Sequence, residues 1–326
     1  MTHTPQNRAG LAITFVLAGV FAISINDMLI KQLSGGYPLH EIVFIRSGIG
    51  ILFSLILVQI EGGWAILHTT RPGLHLLRGV MVVVSNMCFF LALAAIPLAD
   101  ATALFFAAPL FITVLSIPIL KEKVGLPRLS AVFVGFVGVI VMQRPWEGAE
   151  SIGASRLVLL MPILAALTYA INQLMTRLLG VQSKASAMAV YIQGTFVIVS
   201  LGFFLVAGDG RFVSPGASTS LVFLLRPWIW PAGQDMFLLV GLGLNSAVIG
   251  YCLAQAYRLG DAATVAPFEY IGLPLAVFWG WMIFTDLPVW EVWVGIALIL
   301  GSGLFVYLRE RQKARILART PNQIQR

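Results

Sequence analysis

The sequence predicts an all-α membrane protein in which ten transmembrane helices form two inverted repeats of five helices. Three observations predict this fold: the composition, the length of the apolar segments and the similarity between the two halves of the chain. Of the 326 residues, 59% are hydrophobic and only 11% are charged, and the mean hydropathy is +0.90. Soluble domains carry about 25% charged residues, so most of this protein's surface must contact lipid.

Clusters of turn-forming and charged residues divide the chain into ten apolar segments, most of them near the roughly 20 residues that a helix needs to cross a bilayer. They span 9–33, 41–61, 74–95, 100–120, 129–143, 156–179, 185–207, 235–257, 261–284 and 289–307. These segments lack two-residue alternation and are too long for the strands of a membrane barrel. We therefore expect helices.

Two short motifs recur in the two halves of the chain. Residues 25–31 read INDMLIK and residues 171–177 read INQLMTR, so each has an asparagine followed five residues later by a cation. Residues 98–102 read LADAT, and residues 259–264 answer with LGDAAT. Because five crossings reverse the direction of the chain, the second copy is expected to be inverted, as in many secondary transporters.

These boundaries predict four parts: a first five-helix repeat at 9–143, a linker at 144–155, a second repeat at 156–308 and a basic cytoplasmic tail at 309–326. The lysines and arginines place both termini in the cytoplasm, because that orientation puts most of them in cytoplasmic connections. The net charge of +7 is therefore interpreted as a topology signal and as attraction to anionic lipid, with no nucleic-acid partner. The long connection at 208–234 is expected to be an external loop, with a lid as the alternative.

An ordered set of motifs resembles a known family. The set comprises residues 97–110, 121–123, 135–139 and 266–270, followed by Asp286, Gly295 and Gly301. With them the chain, from about Leu11 to Tyr307, resembles the EamA-type ten-helix branch of the drug/metabolite transporter (DMT) superfamily. The resemblance implies a secondary transporter of the bacterial inner membrane. Its implied substrate is an amino acid, an amino-acid derivative such as S-adenosylmethionine, or a vitamin such as riboflavin. Thr285 and Asp286 depart from the Gly-Glu that the family usually has there.

Polar side chains inside apolar segments are the candidate substrate-binding residues, because they are costly in a membrane unless they face a partner or a wet cavity. The candidates are Asn26, Asp27, Asn86, Tyr169, Asn172, Gln173, Asn245, Tyr251, Gln255, Glu269 and Tyr270. The alternative for each is a hydrogen bond between helices without ligand contact, worth about 0.6 kcal/mol.

Three formal charges within the segments have competing interpretations. Asp27 and Arg46 lie at similar depths, and a structural ion pair is the expected arrangement, with outward snorkelling of the arginine as the alternative. Glu269 has no obvious partner in the sequence. It is expected either to exchange a proton, to meet a substrate amine, or to be hydrogen-bonded in a wet lumen without any coupling role.

Prolines and small residues complete the predicted helices. Pro109, Pro267 and Pro274 each remove a backbone donor inside a segment, so kinks are expected there, whether beside the binding region or as packing features alone. Asp100 and Asp261 are expected to cap their helices. The small pairs Ala131/Gly135 and Ala297/Gly301 suit close helix contact, either within the chain or in a homodimer.

Other functional classes find less support in the sequence. The four histidines lie outside the apolar cores, and no zinc-protease, dinucleotide or phosphate-loop motif is present. We therefore predict that the chain is not an enzyme and that it uses neither a metal nor a cofactor. A flippase for a lipid-linked metabolite is the alternative function, because it too needs a polar path. An enclosed pocket near the midplane favours the transporter, whereas a groove open to lipid favours the flippase.

Overall fold

The computed structural model describes residues 5–121, 124–147, 155–179, 185–231, 233–259 and 268–319. Its first six helices are α1 (Pro5–Leu33), α2 (Leu39–Glu61), α3 (Pro72–Leu93), α4 (Leu98–Phe105), α5 (Ala108–Leu120) and α6 (Leu126–Gln143). The later helices are α7 (Arg156–Leu179), α8 (Ala185–Ala207), α9 (Thr219–Leu225), α10 (Gln234–Leu259), α11 (Gly272–Phe284) and α12 (Trp290–Arg319). A single 3-10 turn, Trp64–Leu67, separates α2 from α3.

Within the described residues, nine helical stretches are long and apolar enough to cross a membrane, with α4 and α5 together forming one of them. The helix α11 is apolar but shorter. Many large apolar side chains remain exposed along these stretches, as a lipid-facing surface requires; examples are Phe133, Ile198, Leu205 and Phe237. The predicted class, an all-α multi-pass membrane protein, is confirmed.

The fourth predicted segment is two helices rather than one kinked helix. The helix α4 ends at Phe105, and α5 begins at Ala108 with Pro109 in its first turn. A proline is favourable there because the first turn of a helix has no intrahelical partner for its backbone N–H groups. In the ninth segment Pro274 likewise lies in the first turn of α11, while Pro267 and Asp261 lie outside the described residues.

The prediction that Asp100 caps its helix is wrong. The residue before α4 is Pro97, and Asp100 lies inside the first turn. One carboxylate oxygen of Asp100 is buried without a hydrogen bond among the described residues. Its negative charge still lies near the positive end of the helix dipole, so the favourable electrostatic contribution remains although the capping hydrogen bond does not form.

Helices of the first half pack mainly against helices of the second half. The helix α1 packs along α10 and α3 packs along α7, while α2 packs along α8 and α6 packs along α12. If α1, α2, α3 and α6 are exchanged with α7, α8, α10 and α12, the same four pairs return. A two-fold relation between the halves predicts such a pattern, because it relates each contact to its equivalent.

Hydrogen bonds near the helix ends show the relative directions of the helices. Near the end of α1, Lys31 donates to the carbonyl oxygens of Leu93, at 2.9 Å, and Ile96, at 2.6 Å, at the end of α3. Near the start of α3, Arg78 donates to Thr176, close to the end of α7, at 2.8 Å. The helices α1 and α3 therefore run parallel, and α7 runs antiparallel to both.

Small residues allow α6 and α12 to approach closely. A Cβ atom added at Gly138 would lie 2.9 Å from the Cβ of Leu298 and 3.0 Å from the carbonyl oxygen of Gly295. In contrast, a Cβ at Gly301 would meet no atom within 4 Å. Of the two expected small-residue pairs, the one on α6 lies at a contact within the chain, because a Cβ atom added at Gly135 would lie 2.7 Å from the side chain of Leu110.

The long connection between α8 and α10 folds over the start of α2. Glu41 accepts a hydrogen bond from the backbone N–H of Ile229 at 3.1 Å, and the ring of His40 lies 3.1 Å from the carbonyl oxygen of Leu224. Arg226 donates to the carbonyl oxygen of Gly35 at 2.6 Å. These contacts, together with α9, hold the connection against the end of α1 and the start of α2.

Candidate functional site

Asn26 joins the two charges that were expected to form an ion pair. Arg46 is buried between the rings of Phe90 and Phe196, at 5.6 and 5.5 Å from their centroids. It donates to the side-chain oxygen of Asn26 at 3.5 Å, and the Asn26 amide donates to Asp27 at 3.0 Å. The predicted pair is thus bridged rather than direct, because one amide offers an acceptor to the guanidinium and a donor to the carboxylate.

Asp27 borders a small cavity between the two halves of the protein. Helices α1, α4 and α11 supply the lining, which consists of Ile23, Ser24, Asp27, Leu98, Thr102, Gly272 and Ala276. The cavity volume is about 30 Å³, enough for one or two water molecules. The hydroxyl of Thr102 is buried without a hydrogen-bond partner among the described residues. Polar atoms therefore face this space, which is narrow in the present conformation.

Tyr169 and Gln173 form a pair on the inward face of α7. The amide of Gln173 donates to the Tyr169 hydroxyl at 2.5 Å. The Tyr169 ring lies 5.3 Å from the ring of Phe105, at the end of α4. The break between α4 and α5 thus places an aromatic side chain directly against a predicted site residue.

Glu269 lies within electrostatic range of two tyrosines, Tyr169 and Tyr270. The Tyr270 ring packs against Phe106 with the centroids 5.5 Å apart. The structure therefore brings Glu269, Tyr169 and Tyr270 together from α7 and from the segment before α11, with aromatic residues of α4 beside them. A carboxylate among aromatic rings suits a flat or cationic solute.

The four predicted asparagines differ in their partners. Asn26 and Asn172, which occupy equivalent places in the two halves, are each 5% exposed. The side-chain oxygen of Asn172 has no hydrogen bond among the described residues. Asn245 on α10 donates to the carbonyl oxygen of Ala22 on α1 at 2.7 Å, so its amide nitrogen makes a hydrogen bond between helices, the alternative to ligand contact. Asn86 donates to a carbonyl of its own helix at 3.1 Å.

Two candidates on α10 have different surroundings. Tyr251 is 45% exposed, and its ring packs edge-on against Phe15 of α1 with centroids 6.0 Å apart. Gln255, one turn further along, is partly buried. The described ring contact of Tyr251 therefore links α10 to α1 rather than to the group around Glu269.

Sequence reasoning missed several residues that border the site. Phe105 and Phe106 lie beside the tyrosines, and Trp279 donates from its indole to the hydroxyl of Ser24 at 3.0 Å. These residues are apolar and lie in apolar segments, so the sequence did not distinguish them from lipid-facing or core residues. Pro109 was the nearest residue that the sequence singled out. In the described part of the chain, no three His, Cys, Asp or Glu side chains are grouped as metal ligands would be.

The sequence of the chain is similar to those of known transporters. The model of the EamA-like transporter family matches residues 10–144. The chain is 32% identical over 306 residues to a riboflavin transporter of Rhizobium johnstonii, and the alignment covers 93% of each chain. It is 28% identical over 300 residues to an S-adenosylmethionine uptake transporter of Rickettsia prowazekii, with 92% of this chain and 93% of that protein covered.

A solved crystal structure shares the fold. It covers 92% of this chain and 98% of its own length with a TM-score of 0.60, at 17% sequence identity. The similarity in sequence is too low for that structure to say anything about substrate, so the comparison shows a shared fold alone.

Proposed function

Because the chain belongs to the EamA-like transporter family, within the DMT superfamily, we propose that it is a secondary active transporter of a small organic metabolite. The resemblance found in the sequence is thereby confirmed, and the protein is a membrane transporter rather than an enzyme. Under this proposal it works by alternating access in the bacterial inner membrane, with both termini in the cytoplasm.

The observation that carries the proposal is the group formed by Glu269, Tyr169 and Tyr270, together with the cavity at Asp27. Residues of both halves line the cavity, and Phe105 and Phe106 of the first half pack against the two tyrosines of the group, whose three members all belong to the second half. Such a shared site is expected where two rocking halves expose the solute in turn. Of the other predicted polar residues, Asn172 and Gln173 lie on α7, the helix that also carries Tyr169. A cavity among helices of both halves also favours the transporter over the flippase, which would need a groove open to lipid.

The two five-helix repeats, 9–143 and 156–308, are the elements that would move. Two facts support an inverted relation between them: α7 runs antiparallel to α1, and the helix pairs are preserved when the halves are exchanged. The bridge from Arg46 through Asn26 to Asp27 lies in the first repeat, and its equivalent amide, Asn172, lies in the second.

Riboflavin is the first substrate to test. A riboflavin transporter is similar over 93% of both chains, and the rings of Phe105, Phe106, Tyr169 and Tyr270 would stack on a flat heterocycle. S-adenosylmethionine is the second substrate to test. A transporter of that metabolite is also similar, and Glu269 would attract its cationic groups.

The experiment is counterflow into proteoliposomes that contain the purified full-length protein. Vesicles loaded with unlabelled riboflavin or S-adenosylmethionine receive the same labelled compound outside, and protein-free vesicles are the control. Accumulation of one labelled compound above the control supports the proposal, and its loss in Glu269→Ala assigns it to the site. If neither these two metabolites nor a panel of amino acids gives counterflow, the proposal is wrong.

A further inference from the structure

Arg78 is a buried cation that the site described above does not use. It lies two turns into α3, at the end assigned to the cytoplasm by the lysine and arginine distribution, and it is 7% exposed. Helices α7 and α8 both pack against α3. A guanidinium keeps its charge at every accessible pH, so this position holds a permanent positive charge inside the protein.

Among the described residues, one hydrogen bond orients the guanidinium. Its Nε donates to the Thr176 hydroxyl at 2.8 Å. That hydroxyl donates its own proton to the carbonyl oxygen of Asn172, also at 2.8 Å, so a lone pair is left to accept from the arginine. Within the described chain this is the hydrogen bond that Arg78 makes, and both terminal amino groups of its fork are left for another partner.

Two other cations of the membrane segments, the partly buried Lys31 and the buried Arg46, have polar partners for their charges. Lys31 donates to two carbonyl oxygens at the end of α3, and Arg46 is joined to Asp27 through Asn26. The ion pairs among the described residues are those of Arg144 with Glu147 and of Arg211 with Asp209. Arg78 is in neither pair, so no carboxylate of the described chain neutralises it.

Polar and aromatic side chains lie around Arg78. One turn earlier on α3, His75 lies within electrostatic range of it, with its ring 4.6 Å from the ring of Tyr191 on α8. The next residue, Gly79, allows α3 to touch α8, because a Cβ there would lie 2.6 Å from the hydroxyl of Thr195. Arg78 therefore lies where α7 and α8 both pack closely against α3.

Arg78 is also connected to the proposed site. Thr176 and Asn172 follow one another along α7, and the buried side-chain oxygen of Asn172 has no partner among the described residues. Gln173, which holds the Tyr169 hydroxyl, is the neighbour of Asn172. These polar groups lead from Arg78 towards Tyr169 along the two helices that would line the path.

We propose that Arg78 binds an oxyanion of the transported solute, a carboxylate or a phosphate, at the cytoplasmic end of the path. The planar fork of a guanidinium matches both groups with two parallel hydrogen bonds. Thr176 positions the fork by holding Nε. The inference rests on the proposed function and deepens it, since it makes an anionic group part of the solute chemistry that this end of the protein recognises.

Riboflavin and riboflavin 5′-phosphate are the test pair, because they share one fluorescent ring system and differ by a single phosphate. Binding of each is measured by flavin fluorescence titration of the full-length protein in phosphatidylcholine nanodiscs at constant ionic strength. We expect the phosphate ester to bind at least about tenfold more tightly than riboflavin, the effect of one added charged hydrogen bond. Inorganic phosphate should compete with the ester and spare riboflavin.

Three variants and one control assign the effect. Arg78→Gln should abolish the preference for the ester by lowering the affinity for the ester to that for riboflavin. Arg78→Lys should give an intermediate preference, since it keeps the charge and loses the fork, and Thr176→Val should weaken the preference by freeing Nε. The control is Arg71→Gln, which removes an exposed arginine from the same end of α3. If Arg78→Gln does not fold, a reduced preference for the ester in Arg78→Lys and in Thr176→Val tests the same role of Arg78.

Several results would overturn the inference. Equal affinity for the two flavins in the unchanged protein, or a preference that survives Arg78→Gln, would do so. A preference that disappears when phosphatidylglycerol is added to the nanodiscs would reassign Arg78 to a lipid phosphate. If neither flavin binds, the midpoint of thermal unfolding is compared in inorganic phosphate and in chloride. A rise in phosphate that Arg78→Lys or Thr176→Val reduces supports the inference, and a rise that these variants leave unchanged contradicts it. An Arg78-dependent preference without counterflow would instead refute the proposed function alone.

Discussion

Asn26 shows how one neutral side chain makes two buried charges tolerable. Its oxygen accepts from Arg46 and its nitrogen donates to Asp27. Leaving a buried ion without its partner typically costs about 3–5 kcal/mol, far more than one neutral hydrogen bond contributes. The bridge is thus expected to matter for stability as well as for the shape of the cavity that Asp27 borders.

We therefore expect Asn26→Leu to lower the free energy of unfolding by about 3 kcal/mol, since it separates the two charges. Thermal unfolding in detergent micelles measures the change. The matched control is Asn86→Leu, which removes a hydrogen bond to its own helix and should cost about 1 kcal/mol. Equal losses in the two variants would contradict the bridging role.

Glu269 gives the second residue-scale prediction. If its carboxyl exchanges a proton during transport, Glu269→Gln should slow uptake by at least about tenfold and flatten its dependence on pH between about 5.5 and 8.5. Initial rates of uptake into proteoliposomes test this. The control is Glu147→Gln, which removes a carboxylate paired with Arg144. A pH profile that Glu269→Gln leaves unchanged would assign Glu269 a binding role only.

At this scale the sequence identified charged and amide residues but not their partners. Asn26 and Asn172 stood out because polar groups are rare in apolar segments, and both are buried. The bridge through Asn26 depended on how α2 packs beside α1, which no local pattern encodes. Phe105 and Phe106 could not be predicted as site residues, because an aromatic residue is common in an apolar segment and its role depends on neighbours that the sequence does not show.

Among the helices, the α4–α5 break illustrates what hydropathy cannot show. Residues 98–120 are apolar enough to be read as one crossing, and the interruption at Phe106 and Ala107 became visible only in the backbone. Pro109 was interpreted as a kink, yet it begins a helix. The long apolar helices themselves were predictable, because length and composition alone decide whether a segment can cross a bilayer.

The contact of α6 with α12 yields an element-scale prediction. Gly138→Ala should destabilise the protein by about 1–3 kcal/mol, because the new methyl group meets the backbone oxygen of Gly295, which has no room to move. Gly301→Ala, on the same pair of helices, meets open space and should be neutral or slightly stabilising. Thermal unfolding compares the two. A Gly138→Ala protein as stable as Gly301→Ala would refute the close packing.

Helices α1 and α10 can be linked through a native cysteine. A Cβ at Gly19 would lie 3.3 Å from the Cβ of Cys252, close to the separation in disulfides. In a Cys88→Ser background, Gly19→Cys should form this bond under mild oxidation and arrest transport until a reductant is added. Gly19→Cys combined with Cys252→Ser is the control. Full transport with the bond formed would show that α1 and α10 do not move apart.

For the whole molecule, the sequence predicted the class and the family, and both are confirmed. Repetition of the INDMLIK and INQLMTR motifs gave the expectation of two opposed halves, and the antiparallel course of α1 and α7 supports it. How the halves meet was beyond the sequence. Contacts such as the one between Tyr37 and Asp235, at 2.8 Å, join residues that are distant in the chain and carry no periodic signal.

The most direct test of the account is the accessibility of Thr102, which lines the cavity between the halves and whose hydroxyl has no hydrogen bond within the described part of the chain. In a Cys88→Ser, Cys252→Ser background, Thr102→Cys is treated with a membrane-impermeant thiol reagent on right-side-out or inverted vesicles, with or without riboflavin. Alternating access predicts modification from either face and protection by the transported solute on both. Modification from one face only, or from neither, would contradict a central site that the two halves expose in turn.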